Sequence, residues 1–427
     1  MKNAPVPARI GSSSAPDQPY TELQFGILAP LALTSFIGLL NGFALGPFLP
    51  AISRDIGTSV PVLGQVATAT FLMTAFGGLL VGPLADHLGH RRMIIAGLVT
   101  TVISAAGTAL APDFTLILIT RMIGGVAGSI ASGIPLAIAS SRFVGPARRR
   151  ALSIVPATVT AGAVVGAPLL TSIGSVLSWR AAFGFVAIAA IIVLAAFSLT
   201  FPRDGESASN QRPSLFGLVQ AYVPLLGDRK MVLFYSAALL QAIAWTGPFT
   251  YLGAFFEEHL GFSTAEIGYG YMVTAGGFLL GSVLGGGRLG GIRLTLVFAI
   301  TTTIIGVFWL VVLTTNLGPY PTIGLLATLT LFGGIGRVAF TTLLANESPA
   351  GSGTTMVLNA STITLGAALG SLIGGVLIGF GGFPLLGVGL PVFAFSSALM
   401  LVFTRRYTTE TTLPEPDDDQ TTPSTRS

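Results

Sequence analysis

Two arginines stand inside long apolar runs. Arg121 lies in Leu118-Ile-Thr-Arg-Met-Ile-Gly-Gly125, and Arg337 lies in Phe332-Gly-Gly-Ile-Gly-Arg-Val-Ala-Phe340. A guanidinium in an apolar run costs at least ~2.5 kcal/mol in a bilayer, so it faces a cavity, a partner or a passing charge. Arg121 sits about seven residues into its run, ~10 Å at 1.5 Å per residue, a depth from which a long side chain can still snorkel to the surface. Arg337 lies ~24 Å from one end of its run and ~12 Å from the other, where snorkelling is stretched. Asn41, Gln241, Trp245 and Asn359 share this setting. Aromatic faces beside a few hydrogen-bonding groups suit a mostly apolar small molecule. Tyr251, close to the end of its run, fits an interfacial anchor equally well. The 17 acids all fall in tails, in loops or near run ends, and none lies mid-run.

The most polar short stretch between apolar runs is Gly82-Pro-Leu-Ala-Asp-His-Leu-Gly-His-Arg-Arg92. It puts Gly82, Asp86, Gly89, Arg91 and Arg92 into one tight turn, where glycine lets two helices reverse and pack closely. The basic pair assigns the turn to the cytoplasmic side. A third cluster is Gly162-Ala-Val-Val-Gly-Ala-Pro168, followed by Trp179-Arg-Ala-Ala-Phe183. Small residues and a proline permit a bend and a close helix contact.

The elements that must hold these residues follow from composition. Of 427 residues, 52% are hydrophobic and 9% charged, against about 25% charged in soluble proteins. Apolar runs cover about 26–50, 62–84, 93–111, 114–140, 151–177 and 182–201, then 231–256, 264–286, 293–315, 321–345, 353–380 and 384–404. Each approaches the ~20 residues a membrane helix needs. The runs are continuously apolar, not alternating, which favours helices over a barrel. The 55 glycines suit close helix packing in lipid. The expected fold is an all-α integral membrane protein with twelve transmembrane helices.

Basic residues orient it. Arg91, Arg92, Arg142, Arg148 to Arg150, Arg203, Arg212, Arg229, Lys230, Arg288, Arg293, Arg405 and Arg406 share one face, and only Arg54 and Arg180 occupy the other. This places both termini in the cytoplasm. Residues 1–24 and 405–427 read as disordered tails. The segment 202–229 reads as a linker between helical halves 25–201 and 230–404, its second part a surface amphipathic helix. Gly287-Arg-Leu-Gly-Gly291 is a shortened counterpart of Gly82-Pro-Leu-Ala-Asp86, as an internal repeat requires.

Several classes of function find no residues here. With no cysteine and three histidines, neither a thiolate nor a histidine metal site is expected. No P-loop or nucleophile–base pair is present, so no cofactor and no enzymatic reaction are expected. The net charge of +4 is spread over loops and does not indicate nucleic-acid binding.

The pattern G-x-L-A-D-x-x-G-x-R-R at 82–92 resembles the signature between helices 2 and 3 of the major facilitator superfamily. Arg121 with Gly125 is similar to that family's helix-4 signature. Gly162, Gly166 and Pro168 resemble the helix-5 antiporter signature, with Ala167 interposed in its Gly-Pro pair. The resemblance, closest to bacterial drug:proton antiporters and sugar efflux permeases, covers about 26–404. It implies two pseudo-symmetric six-helix bundles and a midplane site. It also implies a latch in which Asp86 meets the start of helix 11 near Ser352, or Arg142, while the cytoplasmic side is closed. The function it implies is export of a small amphipathic molecule or drug across the inner (plasma) membrane in exchange for protons, by a monomer in the lipid bilayer. The helix-1 carboxylate of many such exporters is missing, which weighs against proton exchange. Two alternatives stay open: carriage of an anionic or polar metabolite using Arg121 and Arg337, and a sensor or partner protein on a transporter fold.

Overall fold

The computed structural model describes residues 20–201, 215–287, 292–349 and 352–404. They form α1 (Phe25–Phe43), α2 (Leu45–Asp55), α3 (Val60–Leu88), α4 (His90–Leu110), α5 (Phe114–Arg142), α6 (Gly145–Val176) and α7 (Trp179–Thr200). After residues 202–214 come α8 (Leu215–Gly227), α9 (Arg229–Leu260), α10 (Thr264–Gly287), α11 (Leu294–Thr314), α12 (Pro319–Glu347), α13 (Ser352–Gly389) and α14 (Pro391–Thr404). The expected tails before 20 and after 404, the first part of the linker and positions 288–291 of the repeat lie outside the described residues.

Three of the expected crossings take an unexpected form. The first is split at Ala44 into α1 and α2. Gly46 and Pro47 follow at once, and a proline nitrogen has no hydrogen to continue the ladder. The last two crossings form one apolar stretch, Gly353–Phe403, of 51 residues. Straight, it would run ~76 Å, more than twice the ~30 Å hydrocarbon core. It bends at Gly381 and Gly382, where φ of +67° at Gly382 suits glycine alone. Ten other spans plus this double one make twelve crossings. Two further boundaries move. α6 starts at Gly145, ahead of the expected 151, with Pro146 in its first turn. The chain is also ordered before residue 25: Tyr20 pairs with Phe143, its N–H donating to Arg142 O at 2.8 Å and its carbonyl accepting from Val144 N at 3.0 Å.

Acids at run ends act as helix caps. Asp113 accepts from Leu116 N at 2.8 Å, and Asp228 accepts from Lys230 N at 2.8 Å. Ser263 and Glu266 form a reciprocal box at the start of α10, with Ser263 N donating to Glu266 at 2.8 Å. Such caps satisfy the amides that a helix start leaves open.

Helices α1 to α7 pack into one bundle and α9 to α14 into a second, and they meet where α3 lies along α13, α6 along α10 and α2 against α9. Phe25 and Thr404 share one end of the molecule, the terminal end. Asp55, Asp113, Ser178 and Gly261 mark the far end. α8 packs at the terminal end, with Leu225 buried in a cluster with Met231 and Phe234.

Candidate functional site: a cavity between the halves

The halves close against each other at the far end. Arg54 and Glu257 form an ion pair across them. A Cβ on Gly253 would meet Gly46 O at 2.5 Å, so α2 and α9 touch backbone to backbone. Tyr251 of α9 is fully buried, donates to Ser371 O at 2.8 Å, and fills the space left by Gly64 of α3 and Gly375 of α13. It is a wedge between halves and not an interfacial anchor. Pro168 of α6 lies against Gly268 of α10. Along α3 and α13 the contact runs from Pro61 and Gly375 to Gly78 and Ser361. Toward the terminal end, a Cβ on Gly82 or on Gly353 would meet nothing within 4 Å.

Above this closure lies a cavity of about 580 Å³. Leu39, Leu40, Phe43 and Phe71 line one wall, and Trp245, Phe249 and Phe278 the other. Trp245 is 4.9 Å from Phe249 and 5.8 Å from Phe278 between ring centroids, and Gly333 makes room for its indole. The polar lining includes Arg121, Thr160, Gln241, Thr246, Arg337 and Thr364. No carboxylate lines the cavity among the described residues.

The two arginines differ. Arg121 is fully buried and held by α1. Its Nη1 donates to Asn41 Oδ1 at 2.9 Å, and its Nη2 donates to the carbonyls of Asn41 and, at 3.3 Å, Gly42. Its guanidinium lies 5.6 Å from the Phe183 centroid. These acceptors are in the last turn of α1, just before the break at Ala44. A helix end leaves carbonyls open, and the arginine occupies them. Asn41 thus serves Arg121 and is not part of the cavity lining. Arg337 is exposed on the opposite wall. No hydrogen bond or ion pair holds its guanidinium among the described residues.

The other predicted residues separate into groups. Gln241 and Trp245 line the cavity. Asn359 is buried one turn beyond the lining residue Ile363, and its Oδ1 has no partner. Gly162 and Gly166 line the cavity and admit Phe36 and Leu40 of α1, while Pro168 makes the contact to α10. At the terminal end Asp86 and Arg92 are not brought into the site; Asp86 is exposed. No ion pair joins Asp86 to Arg142 among the described residues. Arg142 lies over the Phe201 ring at 5.8 Å, and Arg91 donates to Ser198 O at 3.1 Å and Phe201 O at 3.4 Å. Both bind the C-terminal end of α7, where open carbonyls favour a cation. Gly89, at φ of +87°, makes the turn between α3 and α4.

Asp55 and Glu257 are the residues that sequence reasoning passed over. Asp55 receives Arg180 in an ion pair and Trp179 Nε1 at 3.1 Å, which accounts for the Trp179-Arg180 turn. The available signal was the pairing itself: Arg54 and Arg180 are the isolated cations of that face, and each takes an acid of the same face.

Twelve apolar crossings in two bundles around an internal cavity define a multi-pass membrane protein of transporter architecture. Residues 31–359 match the family model of the Major Facilitator Superfamily, and the chain belongs to that superfamily of membrane transporters. It is 23% identical to the uncharacterized MFS-type transporter YwfA of Bacillus subtilis over 392 residues, 88% of this chain and 94% of YwfA. It is 25% identical to the transcription regulatory protein OpdE of Pseudomonas aeruginosa over 388 residues, 88% of this chain and 91% of OpdE. A shorter stretch of 176 residues, 40% of this chain and 43% of the relative, is 26% identical to the purine ribonucleoside efflux pump NepI of Salmonella paratyphi A.

Proposed function

We propose that the protein exports a small amphipathic molecule by alternating access, with both termini in the cytoplasm of a cell whose inner (plasma) membrane it spans. The observation that carries this reading is the aromatic-walled cavity between the two halves. The far-end contacts close it on one side, and the open space beside Gly82 of α3 and Gly353 of α13 supports an opening toward the terminal end. The basic residues of the terminal end support a cytoplasmic place for that side. The cargo enters between the halves from the cytoplasm, and rocking of one half against the other exposes it outside. The similarity to an efflux pump supports the outward direction. In the reverse state Asp86 meets the start of α13, where open amides and the helix dipole favour a carboxylate. Exchange for protons remains part of the proposal through the family resemblance, although no lining carboxylate supports it. OpdE supplies the rival reading, a regulator on this fold, because its name is that of a regulatory protein.

Everted vesicles from cells expressing the chain test this. A panel of aryl compounds of matched size, anionic, neutral and cationic, is offered at the cytoplasmic face. Accumulation of at least one, lost in Trp245→Ala, is the expected result. No accumulation of any, with normal insertion of the protein, favours the regulator. Collapse of the pH gradient alone then reports whether protons are exchanged.

A further inference from the structure

We propose that the cavity selects a monovalent organic anion with an aromatic body, and that Arg337 is the residue that recognises its charge. This rests on the reading of the cavity as a cargo site. Three observations carry it.

First, Arg337 lacks the partners that Arg121, the buried cation, has. The Arg121 guanidinium keeps its charge but is held locally by hydrogen bonds to Asn41 Oδ1 and two carbonyls of α1, whereas no hydrogen bond or ion pair reaches the Arg337 guanidinium among the described residues. A cation placed mid-membrane without a partner in the protein faces a cavity and marks a substrate or ion pathway. Second, no carboxylate lines the cavity among the described residues. An incoming anion meets attraction from Arg337 and no like charge, while a cation meets two arginines. Third, Arg337 stands one helical turn from Gly333, the residue against which Trp245 rests. Residues four apart share a helix face. An aryl group stacked on Trp245 and Phe278 therefore points its substituent along the face that carries Arg337. The planar fork matches a carboxylate or sulfonate with two parallel hydrogen bonds, which a lysine ammonium cannot reproduce. Gln241 and Thr364 line the same cavity and offer further hydrogen bonds.

The test measures binding of three ligands of one shape to the purified full chain in detergent: naphthoate, naphthylmethanol and naphthylmethylammonium. The expected order is naphthoate tightest by roughly tenfold over the alcohol, the size of one charge-assisted hydrogen bond, with the ammonium weakest. Arg337→Gln should erase the advantage of naphthoate over the alcohol, and binding of the alcohol that is still lost in Trp245→Ala reports an intact cavity in the variant. Arg337→Lys should keep part of the advantage. Equal binding of all three to the wild type, or a preference for the ammonium, overturns the proposal while leaving the cavity as a cargo site. Binding of none, or binding indifferent to Trp245→Ala, overturns it together with the cargo reading. The ranking in the wild type decides the matter even if the variants fail to fold.

Discussion

Arg121 and Arg337 are the same residue type at mid-helix, yet their surroundings assign them opposite roles. Arg121 completes a broken helix. Removing it leaves Asn41 Oδ1 and the carbonyls of Asn41 and Gly42 without their donor in a buried site. Arg121→Met should therefore lower stability by roughly 1–3 kcal/mol, the cost of leaving a buried acceptor without its donor. Arg337→Met should leave stability unchanged or raise it, since it removes an unpaired cation from apolar surroundings. Unfolding curves in detergent compare the two, and equal destabilisation would contradict the assignment. Arg121 was legible from Leu118-Ile-Thr-Arg as a cation inside a membrane run, with a cavity-facing place and snorkelling both open. Its partner was not, because Asn41 is 80 residues away and a pairing of that span leaves no periodic trace. Asp55 was hidden for the same reason: a lone acid in a loop reads as solvated until Arg180 is placed beside it.

At the scale of elements, hydrophobicity alone was enough to find the crossings, because a bilayer demands long apolar runs with internally satisfied backbones. It could not locate the break at Ala44, which depends on Pro47 and on the arginine of α5. It also left Tyr251 open between an interfacial anchor and a place in the interior, because its partners are glycines of two other helices. The far-end closure depends on such glycines. Gly253→Val should hold α9 away from Gly46 and open the far end, because a side chain cannot fit against that carbonyl at 2.5 Å. The chain has no native cysteine, so cysteines introduced at Arg54 and Glu257 report cleanly. They should cross-link in the wild-type background and fail to do so with Gly253→Val. Undiminished cross-linking would show that the glycine contact does not set the closure. In the same format Asp86→Asn should reduce cross-linking of cysteines placed at Gly82 and Gly353, by weakening the proposed terminal-end latch.

For the whole molecule, the basic residues make a topological claim. A reporter after Arg406 should be cytoplasmic and a tag at Glu258 should be reached from outside; an externally reached C-terminus would contradict the orientation. An anionic cargo adds an energetic one. An inside-negative potential of ~100 mV favours outward movement of a monovalent anion by ~2.3 kcal/mol. A potassium–valinomycin potential without a pH gradient should thus drive naphthoate efflux from proteoliposomes, and efflux that needs the pH gradient would assign the coupling to protons. The account as a whole depends on the two ends of the cavity opening in alternation. Spin labels at introduced cysteines measure this without a known cargo, one pair at Arg54 and Glu257, the other at Gly82 and Gly353. In reconstituted protein the wild type should show a short far-end distance with a long terminal-end distance. Gly253→Val should lengthen the first and shorten the second together. A terminal-end distance that stays fixed while the far end opens would contradict alternating access in this protein.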